Sequence, residues 1–163
     1  MYRSIRQTIA FLILTAFAAG CGGDGQTNVE KIKITLTSEG PLYSGSNTAT
    51  GTWKPDEAFS GHVKSVRFTS ARLSSADTVL NGIILNPVLQ LAAPKADMKK
   101  IAYFKGSPAG NEFSLQMAED QKDIKDFFNG QEITFVIDYD LVPEELNSNL
   151  TFTLDFEAEL ITK

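Results

Sequence analysis

Histidine, cysteine and tryptophan occur once each in the 163 residues, as His62, Cys21 and Trp53. A single histidine excludes a multi-histidine metal site, and a single cysteine excludes an internal disulfide. There is no G-x-S-x-G elbow, no phosphate-binding loop and no dinucleotide fingerprint, so the hydrolases and nucleotide enzymes that carry those motifs lack their marks here. A serine-type triad would have to run through His62. The nearest serine, Ser60, lies in the turn-like string Phe59-Ser60-Gly61-His62, and His62 reads as a surface or strand-edge residue. Long runs of like charge, internal repeats and low-complexity blocks are also missing. Only one long apolar run exists, Ile9 through Ala19, interrupted by Thr15 alone.

That run follows Arg3 and Arg6, is too short to cross a bilayer as a stable helix, and ends in the small residues Ala18-Ala19-Gly20 just before Cys21. Residues 1–20 therefore read as a secretory signal peptide. Its end resembles the lipobox of bacterial lipoproteins, with Ala18 standing where leucine is usual. The resemblance implies cleavage before Cys21 and a diacylglycerol on its sulfur, which accounts for a lone thiol in an exported chain and leaves no cysteine for chemistry. The competing reading is an ordinary signal peptide followed by a chance cysteine. Gly22, rather than aspartate, follows Cys21, and in the lipoprotein family this implies the outer membrane of the cell envelope. Residues 21–28, Cys-Gly-Gly-Asp-Gly-Gln-Thr-Asn, read as a lipidated flexible tether with a root-mean-square reach of about 15 Å.

The remaining residues, 29–163, suit one domain with its own core. Without the leader, 13 basic residues stand against 20 acidic ones, a formal charge of −7. Such a balance disfavours nucleic acid and anionic headgroups as partners.

Periodicity is mainly two, the mark of half-buried strands. Ile32, Ile34 and Leu36 alternate with polar residues. So do Ile133, Phe135, Ile137 and Tyr139, and so do Phe152, Leu154, Phe156, Ala158 and Leu160. The last two segments are expected to pair across a connection at Pro143–Asn149. Further strands are expected over 63–73, 79–85, 88–92, 99–104 and 112–117, with Asn86-Pro87 as a break and 106–111 as a hairpin loop. One short helix is expected over 120–129, capped by Gly130 and plugging one end of the core. The pattern predicts an all-β fold, an antiparallel β-sandwich of seven or eight strands with one short helix. A small closed β-barrel is the alternative.

Carboxylates are the only abundant catalytic currency. If the last two strands pair, Asp138, Asp140, Asp155, Glu157 and Glu159 crowd one surface, where they are either a solvated face partly neutralised by Lys31 and Lys33 or a seat for a hard cation. No loop matches a calcium-binding pattern, and no metal or cofactor is expected. The polar stretch 37–61 holds Tyr43, Trp53 and Phe59. Trp53 and Tyr43 are candidate ligand-binding residues if their rings are exposed to stack on sugars, but Ala49, Gly51 and Trp53 also read as the inward side of a strand. The function expected is a non-catalytic, membrane-anchored lipoprotein working through protein contacts in assembly, adhesion or scaffolding. The alternative is a carbohydrate- or peptidoglycan-binding module.

Overall fold

The computed structural model describes residues 26–55, 63–76, 80–121, 124–128 and 132–162. The leader, Cys21, the Phe59–His62 string and Gly130 lie outside them. Among the described residues nine strands follow one another: β1 Gln26–Ser38, β2 Leu42–Trp53, β3 Val63–Ser74, β4 Ile84–Ala93, β5 Ala96–Tyr103, β6 Glu112–Ser114, β7 Gln116–Met117, β8 Ile133–Leu146 and β9 Leu150–Thr162. All pairings are antiparallel, in the order β6-β3-β9-β1-β2-β8-β4-β5-β7. The fold is all-β, as the alternation predicts.

This one sheet doubles back on itself until it nearly closes as a barrel. Residues 112–117 are a single extended segment bent at Leu115. Its first half pairs with β3 and its second half with β5, so the two ends of the sheet are joined through it. Backbone bonds Leu115 N–H to Ala71 O (2.9 Å) and Ala118 N–H to Ile101 O (2.9 Å) carry the closure. On the opposite side β1 and β2 bridge only at Thr37–Thr50, whereas β1 pairs with β9 along its whole length. The result is a flattened barrel whose halves, β6-β3-β9-β1 and β2-β8-β4-β5-β7, face each other as the two layers of a sandwich do.

Inward residues of both halves make one core. Phe135 of β8 meets Phe156 of β9 at 5.0 Å between ring centroids, and Tyr139 meets Phe152 at 5.4 Å. Leu36, Leu73, Leu89, Leu91, Phe68 and Ile101 complete the centre, all essentially inaccessible. The expected pairing of the last two strands is therefore overturned. β8 lies between β2 and β4, β9 lies between β3 and β1, and the two strands meet across the core through their side chains. Alternation fixes which side of a strand is buried but not which strand lies beside it.

Several boundaries also move. Gln26, Thr27 and Asn28, read as tether, are the first residues of β1, paired with Thr162, Ile161 and Leu160. Residues 143–146 belong to β8 rather than to a connection. Pro143 is tolerated there because the β2–β8 register shifts between Tyr43 and Gly45, and at that irregularity a missing N–H breaks no regular ladder. Asn86-Pro87 does not separate two strands; it forms a bulge inside β4, with Asn86 at a positive φ of 51° and the register shifting between Leu85 and Val88. Residues 80–83 are a turn that leads into β4.

The expected helix is a single 3-10 turn, Ile124–Phe128, whose Ile124, Phe127 and Phe128 are buried. It closes the end of the barrel at which β1 begins, with Phe128 against Trp53 (5.9 Å) and Phe68 (6.1 Å). Just before it, the Gln121 side-chain amide accepts from Phe68 N–H (2.8 Å) and donates to Phe68 O (3.0 Å). That amide takes the place of a neighbouring strand where β3 bulges between Phe68 and Ser70.

At the β1–β2 corner a glycine is required. A Cβ on Gly51 would fall onto the carbonyl oxygen of Thr35, so the two backbones approach more closely than any side chain permits. Gly51→Ala is expected to lower stability by about 1–3 kcal/mol, the usual cost of overpacking, read as an earlier midpoint in urea unfolding with an unchanged slope.

Candidate functional site

The five carboxylates expected to share a surface are divided by the topology. Asp155, Glu157 and Glu159 stand on the outer face of β9, and β1 supplies the opposing charges: Lys31 Nζ lies 3.0 Å from Glu157 and Lys33 Nζ 3.6 Å from Asp155. On the other flank Arg72 faces Asp155 in register and binds Glu112 at 2.7 Å, while Arg67 faces Glu159. These pairs are solvated and individually worth about 0–1 kcal/mol, so their effect is to neutralise the strip rather than to hold it together.

Asp138 and Asp140 lie on the other half of the barrel. Asp138 accepts from Thr48 Oγ1 (2.8 Å) on β2 and from Gln90 Nε2 on β4, a half-buried cross-strand network; Asp140 accepts from Asn86 Nδ2 (3.4 Å). Among the described residues no cluster of three or more potential ligands could hold a metal ion.

Among the described residues, shallow grooves lie on the outer faces. A larger one of about 530 Å³ runs between β1, β9 and β3, where Lys31, Lys33, Arg72, Asp155 and Glu157 surround Thr69, Ser70 and Ala71. It lies beside the β3 bulge between Phe68 and Ser70, and nothing in the period-two pattern of β3 announces that bulge. A smaller one of about 350 Å³ lies over β4 and β5, where the Lys100 and Lys105 ammonium groups sit 5.4 Å and 5.9 Å from the centre of the Tyr103 ring. A third, of about 470 Å³, lies where Arg67 and Glu159 meet Glu119 and Gln121, and all three are open and mixed in character.

Tyr43 and Trp53, the candidate ligand-binding residues, occupy opposite ends of β2. At about 3.4 Å per residue, ten residues separate them by roughly 30 Å, so they do not form one stacking platform. Tyr43 is 59% exposed, beside Glu145 in register, with Val142 (47% exposed) three residues earlier on β8. Trp53 is half-buried, packed against the core and edge-on to Phe128. The inward reading of Ala49, Gly51 and Trp53 matches this placement.

One buried polar chain was not legible in the sequence. Tyr139 Oη donates to Ser38 Oγ (2.7 Å), which donates to Thr48 O (2.7 Å), linking β8, β1 and β2 inside the corner where β1 and β2 diverge. Its only sequence trace is a tyrosine in a row of inward apolar residues. Burial pushes the Tyr139 pKa upward, partly opposed by the bond to Ser38.

No protein-family model, no curated protein and no solved structure matches this chain.

Two measurements follow from these placements. Trp53 emission is expected to be blue-shifted relative to free tryptophan, only weakly quenched by iodide, and unchanged on adding oligosaccharide. A sugar-dependent shift would return Trp53 to the binding surface. For Tyr139, the unfolded chain ionises near the ordinary value of about 10 while the folded one keeps the phenol neutral. This contribution is complete below pH 10 and lost as the pH rises through the higher folded value. Tyr139→Phe is expected to remove that component of alkaline destabilisation and to cost about 1 kcal/mol at neutral pH, read from urea unfolding across pH 7–11.

Proposed function

We propose that the protein is a lipid-anchored, non-catalytic component of the bacterial cell envelope, held at the outer membrane through Cys21 and acting by contact with another envelope protein. The observation that carries this is the string Ala18-Ala19-Gly20-Cys21 after an apolar run with an arginine start, only five residues ahead of Gln26, the first residue of β1. An anchor attached there pulls on β1, a strand paired along its whole length with β9 in the middle of the sheet.

The end of the barrel away from Gln26 supports protein contact. It carries the exposed side chains of Tyr43 and Val142 among Glu39, Glu144 and Glu145. An exposed aromatic with a polar rim is the composition that protein interfaces favour.

The decisive experiment is cross-linking in intact cells, with Cys21→Ala as the unanchored control and mass spectrometry of what co-purifies. The wild-type protein is expected to float with membranes and to capture a stoichiometric protein partner. The variant is expected to be released and to lose it. A wild-type protein that fractionates without membrane would overturn the anchor. Recovery of glycan or peptidoglycan fragments alone would favour the carbohydrate-binding alternative, with Tyr43 as the first residue to replace.

A further inference from the structure

The nine strands run up and down, so each end of the barrel has a defined set of residues. Gln26, Val63, the 93–96 turn and Thr162 mark the end from which Cys21 is reached; Ser38, Leu42, Ser74 and Leu146 mark the other. Five large apolar side chains are exposed among the described residues, and three of them, Val29 (55%), Met98 (55%) and Ile161 (38%), fall at the first end.

Val29 and Ile161 are diagonal neighbours. Thr27 faces Ile161 and Val29 faces Glu159 in the β1–β9 ladder, so both point outward from the same face, about 7–8 Å apart. They interrupt an outward face that is otherwise charged or polar, formed by Lys31, Lys33 and Thr35 on β1 and by Asp155, Glu157 and Glu159 on β9. Met98 occupies the same end on the opposite half, two residues beyond the start of β5.

We propose that this end of the barrel seats directly on the lipid surface, with Val29, Ile161 and Met98 entering the interface between headgroups and acyl chains. This rests on the lipidation proposed above. The length of chain leading to the domain argues for lipid as the occupant. From Cys21 to Gln26 the backbone spans at most about 18 Å, and Val29 lies about 10 Å further along β1. Interfacial apolar groups enter a membrane by about 5–10 Å, a depth that brings Val29 and Ile161 into contact once the barrel end rests on the surface.

The tether also changes what a small apolar patch can accomplish. Three side chains are too few to recruit a free protein to a bilayer, but an anchored domain meets the surface at high effective concentration, and a weak contact is then well populated. Lys31 and Lys33, next along the outer face of β1, are engaged with Glu157 and Asp155, so the patch brings no net positive charge. It fits a zwitterionic surface. Seated in this way, the domain presents Tyr43 and Val142 away from the membrane.

The mature chain, coupled through its only thiol, Cys21, to a maleimide lipid in zwitterionic nanodiscs that contain a nitroxide-headgroup lipid, provides the test. Amide relaxation enhancements are read by NMR. Val29, Met98 and Ile161 are expected to show enhancements several-fold above those of Tyr43 and Val142. The surface double variant Val29→Ser with Ile161→Ser, on the same tether, is expected to lose most of that contrast. An identical profile in the variant, or no contrast between the two ends in the wild type, would overturn the seat. Because the maleimide lipid supplies the anchor, an absence of lipidation in cells would remove the envelope reading without altering this result.

Discussion

Each long strand among the described residues has an apolar side, and that side is covered by the apolar side of another part of the same sheet. The contact of β8 with β9 meets this constraint at the centre: Phe135 on Phe156 and Tyr139 on Phe152 bring consecutive strands face to face rather than edge to edge. The halves of the sheet then have to be joined at their margins. On one side the bend at Leu115 passes a single segment from β3 to β5, and on the other Gly51 lets β2 approach the backbone of β1 where they bridge. The ends of the barrel are what remains, and the 3-10 turn with Phe127 and Phe128 fills the one that neighbours Trp53.

The same topology disperses the chemistry. Separating β8 from β9 by β1 and β2 places Asp138 and Asp140 on one half and Asp155, Glu157 and Glu159 on the other, and each set meets different neighbours. Lysines and arginines of β1 and β3 neutralise the second set; hydroxyl and amide groups of Thr48, Gln90 and Asn86 serve the first. Side chains that sequence alone would gather into an acidic patch become two hydrogen-bonded sheet faces. The contrast that survives along the barrel is between its ends: apolar residues near the start of β1, and an aromatic with acids at the other.

What was legible and what was not divides along a physical line. The inward faces of β1, β8 and β9 were readable residue by residue, because burial of alternate side chains is a local property of each strand. The lysine–carboxylate pairing of β1 with β9 was readable as a possibility for the same reason. The bulges at Asn86-Pro87, at Tyr43–Gly45 and at Phe68–Ser70 were not, because a glycine, proline or serine in a strand is also the signal for its end. Hence β4 was divided in two, β8 was cut short at Pro143, and the groove beside the β3 bulge went unseen. Trp53 could be read either way until Phe128, 75 residues later, was found beside it.

Alone, the sequence determined the all-β class, the buried sides of β1, β8 and β9, and the shortage of catalytic residue types, because composition and local alternation suffice for each. Which strands are neighbours was decided only by the tertiary structure, since pairing depends on contacts between residues more than a hundred positions apart, as with Ile34 and Leu154. From that pairing follow the separation of the acids, the burial of Tyr139 against Ser38, and the placing of Val29, Met98 and Ile161 at the end where β1 begins. No local pattern encodes such an arrangement, because its members come from different strands and share one end of the barrel only when the sheet closes.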